Sequence, residues 1–217
     1  MFTAIIPVKK NSSRLPGKNL KLFGKENLLT RKIRQLKESK IADRIIVSSD
    51  CTKMLQIAKD ANVDAIIRPT CYADESKPAT EFFPYLASLI PEGHFIYSCV
   101  TSPHFDAKLM VEAKDKYLEA INNGYDSLIT VYKFQHFLMD KKGPLNFGFG
   151  AEHKNSEDLP ELDLFTNGIV ISPISSVKKW KYHFGPKAYR FKVDQKASND
   201  IDTKLDYLTA LAWEQNE

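Results

Sequence analysis

Residues 9–19, KKNSSRLPGKN, gather Lys9, Lys10, Arg14 and Lys18 with Asn11, Ser12, Ser13 and Asn19, leaving only Leu15, Pro16 and Gly17 between them. They follow directly on FTAIIPV at 2–8, an apolar, β-branched run with the length of a buried strand. A basic, donor-rich segment leaving the carboxyl end of an inner strand suits a polyphosphate: lysine offers a point charge, arginine a planar fork, and Ser and Asn orient the oxygens. The plainer alternative is a solvated basic loop. A second group lies near the other end, Asp200-Ile201-Asp202-Thr203. In extended backbone the two carboxylates point the same way, and like charges held together favour a hard cation between them, such as Mg²⁺. Alternatively, Asp202 caps the last helix and Asp200 faces water. A cationic loop on one strand end and a carboxylate pair on another are together what a Mg²⁺–nucleotide enzyme needs.

Weaker signals sit at other strand ends. Arg68 precedes Pro69, and either contacts a base or phosphate or belongs to a surface turn. Thr101, Ser102 and Asn167 suit a hydroxyl-rich ligand or simple turn chemistry. His94, His104, His136, His153 and His183 form no ligand spacing, and neither a G-x-S-x-G elbow nor a G-x-x-x-x-G-K-[ST] loop is present.

The elements that must position these residues follow from periodicity. Leu29, Ile33 and Leu36 predict an amphipathic helix whose other face carries Arg31, Lys32, Arg34 and Lys37. Residues 44–49 and 64–68 read as strands. Asp50 stands at an N-cap position before a helix containing Met54, Leu55, Ile57 and Ala58. Residues 80–90 read as a helix interrupted by Pro84, and 94–100 as a strand. Residues 106–123 form the longest helical pattern, with Leu109, Ala113, Leu118 and Ile121 inward. Strands follow at 127–132, 168–172 and 189–193, the last an edge, with a weak helix at 176–182. Asp202 opens a final helix with Leu205, Leu208, Ala212 and Trp213 on one side. Alternating strands and helices predict an α/β fold: a three-layer α/β/α sandwich around a mostly parallel sheet, with sites at strand carboxyl ends. Residues 134–162 have no clean period. They read as an excursion from a single domain spanning 1–217, serving as a lid or a dimer contact.

The 217 residues are 43% hydrophobic and 27% charged, an ordinary globular balance, so the chain can bury a substantial core. A net charge of +4, locally bunched, suits a small anion better than nucleic acid. Three unpaired-looking cysteines, Cys51, Cys71 and Cys99, imply a reducing compartment. No apolar run approaches membrane-spanning length, and no cleavable leader is evident, so a cytoplasmic location with no membrane partner is expected.

Residues 6–19, IPVKKNSSRLPGKN, resemble the signature loop of the acylneuraminate cytidylyltransferases, the CMP–sialic acid synthetases. In the same order come Val47-Ser48-Ser49-Asp50, Arg68-Pro69 with Asp74, Thr101-Ser102-Pro103, Asp158-Leu159-Pro160, Asn167-Gly168 and Asp200-Ile201-Asp202-Thr203 with Asp206. The resemblance spans nearly the whole chain. It implies a nucleotidyltransferase fold, usually dimeric, that joins CTP to a nonulosonic (sialic-type) acid with Mg²⁺ and releases pyrophosphate. Carried over by position, Ser12, Arg14 and Lys18 hold the triphosphate, with Lys9 and Asp202 among the catalytic groups. Pro7, Asn19, Arg68 and Thr80 line the nucleotide, Thr101, Ser102 and Asn167 the acceptor, and Asp200 and Asp202 ligate Mg²⁺. The chain departs from the family pattern at Lys9 (usually Arg), Cys99 (usually Gln), Phe105 (usually Arg) and 155–157 (usually basic), changes expected to cluster on the acceptor side. A different acceptor or nucleotide, a glycosyltransferase releasing a nucleoside diphosphate, and a non-catalytic nucleotide-binding relative remain alternatives.

Overall fold

The computed structural model describes residues 1–74 and 76–215. Its elements run β1 (Phe2–Pro7), β2 (Leu22–Phe23), β3 (Glu26–Asn27), α1 (Leu28–Ser39), β4 (Arg44–Ser49), α2 (Thr52–Asp60), β5 (Asp64–Ile67), α3 (Ala79–Ser88) and β6 (His94–Tyr97). They continue with α4 (Ala107–Asn122), β7 (Ser127–Phe134), β8 (Met139–Asp140), β9 (Gly143–Pro144), β10 (Leu162–Pro173), α5 (Ile174–Trp180), β11 (Ala188–Val193) and α6 (Lys204–Gln215).

A seven-stranded sheet of order β11-β7-β10-β6-β1-β4-β5 forms the middle layer. The pairings β1–β4, β1–β6, β4–β5 and β7–β11 are parallel, and only β10 runs against its neighbours β6 and β7. Alternation along each inner strand sends Ala4, Ile6, Val47 and Ile96 to one face, where α1, α2, α4 and α6 pack. Ile5, Ile46 and Phe95 point to the other, against α3 and α5. This is the three-layer sandwich expected, with the order reversing at β1 so that its carboxyl end opens beside that of β6.

Capping explains where several helices begin. Asn27 Oδ1 accepts from Thr30 N at 2.9 Å to start α1, and Asp106 Oδ1 accepts from Leu109 N at 2.9 Å to start α4. α6 is capped by a reciprocal box. Asp206 Oδ2 accepts from Thr203 N at 2.7 Å, and Asp206 N donates to Thr203 Oγ1 at 3.3 Å. Thr203, not Asp202, therefore opens the last helix.

Other expectations change too. Asp50 does not cap α2; Cys51 holds that position without a side-chain bond, and Asp50 Oδ1 instead accepts from Lys10 N at 2.8 Å. Pro84 sits inside α3 without interrupting it, forgoing only one backbone donor. The fourth predicted strand stops at Tyr97. On α4 the buried side chains are Met110, Ala113, Tyr117 and Ala120, while Leu118 is exposed. On α6, Ala210 is buried with Tyr207 and Leu211 against the core, whereas Leu205 and Leu208 are exposed. The irregular stretch between β7 and β10 contains the short β8–β9 ladder and a cluster in which the Phe137 ring lies 5.0 Å from Phe147 and 5.3 Å from His153.

Candidate active site

The two ends of the chain meet at the carboxyl edge of the sheet. Lys18 Nζ donates to Asp202 Oδ1 at 2.8 Å, and Arg14 Nη1 lies 3.0 Å from Asp202 Oδ2. The Lys18 side chain is only 13% exposed against 64% for Arg14, so one cation is anchored and the other can swing. Gly17, at φ 66°, makes the left-handed turn that returns the loop into the short helical turn Lys18–Leu20. Asn19 Nδ2 then donates to Lys9 O at 2.9 Å and ties the loop's two ends together.

The acidic segment is held from behind. Ile201, fully buried, donates its N–H to Thr101 O at 2.8 Å. Asp200 Oδ2 accepts from Asn167 Nδ2 at 2.7 Å, while Asp200 Oδ1 is buried without a partner. Asn167 reaches it because β10 slips register between Thr166 and Val170. Gly168 is required there, since a Cβ would meet the Phe105 ring at 2.8 Å and Thr130 Oγ1 at 3.1 Å.

A cavity of about 380 Å³ opens beside Lys18, with Pro7, Lys9, Ser12, Asn19 and Arg68 in its wall and Tyr72, Phe82 and Tyr97 completing it. Arg68 is 4% exposed; Nη2 donates to Val8 O and Nε has no partner. Burial lowers its pKa, opposed by the Asp50 charge. Cys99 is pushed up to about 12, by burial first and then by Asp200, so its thiol stays protonated near neutrality. A second cleft, about 430 Å³, lies on the Asp200 side, bounded by Phe134, Phe165, Thr166 and Trp213.

Of the residues singled out from sequence, the structure brings Pro7, Lys9, Ser12, Arg14, Lys18, Asn19, Arg68, Asp200, Asp202 and Asn167 to this edge. Thr101 touches it through its carbonyl. Thr80 is exposed on α3, and Ala79 lines the cavity in its place. Ser102 is 1% exposed and faces α1, where its carbonyl accepts from Lys32 Nζ at 2.9 Å. Phe105, expected on the acceptor side, is buried in the core.

Lys32, placed by the sequence on the polar face of α1, turns inward. It is fully buried, and its ammonium also donates to Phe105 O at 3.2 Å, with Gln35 Nε2 donating to Pro103 O at 2.7 Å. Burial lowers its pKa to about 7. The signal was its spacing: Leu28, Lys32, Gln35 and Ser39 recur at helical intervals on a buried face. The aromatic wall was likewise missed: Phe82 lies on α3, which reads as an ordinary apolar helix, and Tyr72 lies on a short turn, Thr70–Tyr72, between β5 and α3.

A family model described as cytidylyltransferase matches residues 3–143. The chain is 24% identical over 221 residues to the N-acylneuraminate cytidylyltransferase of Escherichia coli O18:K1:H7 (strain RS218 / NMEC), covering 99% of this chain and 52% of that protein. It is 23% identical over 210 residues to the N-acylneuraminate cytidylyltransferase of Streptococcus agalactiae serotype III (strain NEM316), covering 94% and 51%. The chain spans about half the length of the curated relatives it matches. Among solved structures, a CMP:2-keto-3-deoxy-manno-octonic acid synthetase complexed with CTP aligns with a TM-score of 0.72 at 12% identity, covering 99% of this chain and 98% of that one. The 4-diphosphocytidyl-2C-methyl-D-erythritol synthase from Anaerococcus prevotii DSM 20548 aligns with a TM-score of 0.67 at 15% identity, covering 99% and 98%. At these identities the structural likeness is one of fold, and it agrees with the family match: the chain belongs to the cytidylyltransferase family.

Proposed function

We propose that the chain transfers the cytidylyl group of CTP to an acceptor hydroxyl, with pyrophosphate leaving. The observation that carries this is the Lys18–Asp202 contact at the mouth of a cavity walled by Lys9, Ser12 and Asn19. In this reading Asp202 holds the two cations in place until a triphosphate takes them over. Lys18 and Arg14 then neutralise charge on the β- and γ-phosphates as the bond from the α-phosphorus to its bridging oxygen breaks. The acceptor oxygen forms the new bond to the α-phosphorus, its proton passes to solvent, and pyrophosphate carries away the electron pair. Arg68, with a buried unpartnered Nε, and the rings of Tyr72 and Phe82 form the wall against which cytosine lies.

Mg²⁺ fits the donor set. The unpartnered Asp200 Oδ1 and the carboxylate of Asp202 are hard oxygen ligands, and Mg²⁺ commonly takes one or two carboxylates plus phosphate oxygens. Among the described residues no three His, Cys, Asp or Glu side chains cluster to hold a metal by themselves, so phosphate would complete the shell. When bound, the ion supplies positive charge at the phosphates.

The names of the curated relatives support a sialic-type acid as acceptor, and the fold neighbours support a broader range of hydroxyl compounds. We extend the reading to a cytoplasmic homodimer joined through residues 134–162, where Met139, Leu145 and Phe149 are exposed; a monomeric mass in solution would contradict that contact. The functional test is pyrophosphate release with each of the four nucleoside triphosphates against a panel of nonulosonic acids, sugar phosphates and polyols. Mg²⁺-dependent release with CTP alone is expected. Release of a nucleoside diphosphate, or equal use of all four nucleotides, would overturn the assignment.

A further inference from the structure

The loop that leaves β6 is buried, and α1 holds it. Ser102 is 1% exposed, His104 8% and Phe105 0%, so the carbonyls of this stretch need donors from the protein. Three side chains of α1 supply them. Lys32 Nζ donates to Ser102 O at 2.9 Å and to Phe105 O at 3.2 Å. Gln35 Nε2 donates to Pro103 O at 2.7 Å, and Arg31 Nε donates to the same oxygen at 3.2 Å. A fully buried ammonium is costly to desolvate, and its effect at this position is to fix the conformation of the loop.

Two contacts run from this loop to the acidic segment. Thr101 O, next in the chain to Ser102, accepts from Ile201 N at 2.8 Å, between Asp200 and Asp202. The Phe105 ring lies against Gly168, where a Cβ would meet it at 2.8 Å, and the neighbouring Asn167 Nδ2 donates to Asp200 Oδ2 at 2.7 Å. α1 also reaches the helix that follows Asp202. Arg31 Nη1 donates to Glu214 Oε1 at 2.6 Å and Nη2 to Glu214 Oε2 at 2.8 Å. A shift of the Ser102 and Phe105 carbonyls would therefore move both the backbone at Ile201 and the amide that orients Asp200.

We propose that Lys32 is a positioning residue for Asp200 and Asp202. Held on the Ser102 and Phe105 carbonyls, it sets where Thr101 O and the Phe105 ring stand, and through them the spacing of the two carboxylates. The proposal rests on the cytidylyl-transfer reading for what the pair does, which is to hold Mg²⁺ beside the triphosphate. How the pair is held rests on geometry alone. Without the ammonium the carboxylates sample more separations, and Mg²⁺, which demands near-ideal octahedral geometry, is bound more weakly.

The first arm of the test needs no turnover. Amide hydrogen exchange is followed at Ile201 and, as the reference for global opening, at Val47 in the inner strand β4. The proteins compared are the parent, Lys32→Met, Gln35→Met and Met54→Ala, the last a core lesion on α2. Lys32→Met should speed exchange at Ile201 about tenfold more than at Val47, the scale of one lost buried donor. Gln35→Met should do the same to a smaller extent, and it carries the test if Lys32→Met fails to fold. Met54→Ala should speed both amides alike. In the second arm, the Mg²⁺ concentration giving half-maximal pyrophosphate release should rise about tenfold in Lys32→Met, as for other groups behind metal-binding side chains. KM for CTP at saturating Mg²⁺ should stay near the parent's, because the cations that bind the phosphates belong to another loop. Equal acceleration at Ile201 and Val47 in both α1 variants, selective acceleration at Ile201 in Met54→Ala, or an unmoved Mg²⁺ midpoint would overturn the proposal. A parent that releases no pyrophosphate from CTP would instead overturn the underlying function, and the exchange arm would still decide whether Lys32 holds the segment.

Discussion

Lys18 Nζ donates to Asp202 Oδ1 at 2.8 Å, joining the basic loop after β1 to the segment before α6 across 184 residues of sequence. The contact is partly buried, and Arg14 reaches the same carboxylate from solvent. Because Lys18 is anchored and Arg14 is mostly exposed, their substitutions should differ in severity. Lys18→Met should lower kcat/KM about 10²–10³-fold, the range seen when one preorganised charge donor is removed from a transition state. Arg14→Ala should cost distinctly less. Equal losses in the two variants, measured by pyrophosphate release, would deny Lys18 its special place.

The two carboxylates and the helix cap should separate experimentally. Thr203→Ala breaks the box that starts α6 and should lower stability by about 1 kcal/mol, shifting Tm by roughly 2–4 °C in a chain of this size. Its Mg²⁺ dependence should match the parent's. Asp202→Asn and Asp200→Asn should instead abolish Mg²⁺-dependent turnover with a small change in Tm. If Asp202→Asn behaved like Thr203→Ala, the carboxylate would be structural.

Lys32 predicts an alkaline gain in stability. Its pKa is about 7 in the fold against an ordinary 10.5, because burial disfavours the ammonium. Between those values the unfolded chain binds more protons than the folded one, so stability rises with pH across that window. Lys32→Met should remove this slope, and should also destabilise, since the carbonyls of Ser102 and Phe105 lose their donor. Urea midpoints at pH 7, 8 and 9 for both proteins check it; parallel slopes would contradict it.

His183 predicts the opposite limb. It is 4% exposed, stacked on Phe83 at 4.1 Å, and neither ring nitrogen has a partner. Burial lowers its pKa from 6.5 to about 3. The folded chain therefore resists protonating it, and stability falls as pH drops from about 6.5 towards 3. His183→Phe should flatten that component of acid denaturation. An unchanged acid limb, followed by circular dichroism, would show that other groups govern it.

The alternation of strands and helices was legible because the inner strands β1, β4 and β6 are short apolar runs and α1 carries a clear stripe. The helix faces of α4 and α6 were not. Tyr117 and Tyr207 turn inward while Leu118, Leu205 and Leu208 stay outside, so hydrophobicity alone misassigned the face. Lys32 was assigned to solvent because a lysine amid Arg31, Arg34 and Lys37 reads as part of a charged surface. The carbonyls that receive it come from a loop some 70 positions away, 70 to Ser102 and 73 to Phe105. The convergence of Lys18 and Asp202 could be anticipated from their chemistry, whereas the cleft walled by Phe134, Phe165 and Trp213 depends on three separate elements meeting and left no local pattern.

The most direct test of the account is a calorimetric titration of CTP with Mg²⁺ into the parent chain and into Lys18→Met, with UTP, ATP and GTP as controls. The account predicts saturable CTP binding in the parent, tighter than for the other three nucleotides and at least tenfold weaker in the variant. Equal CTP affinity in the two proteins would contradict it.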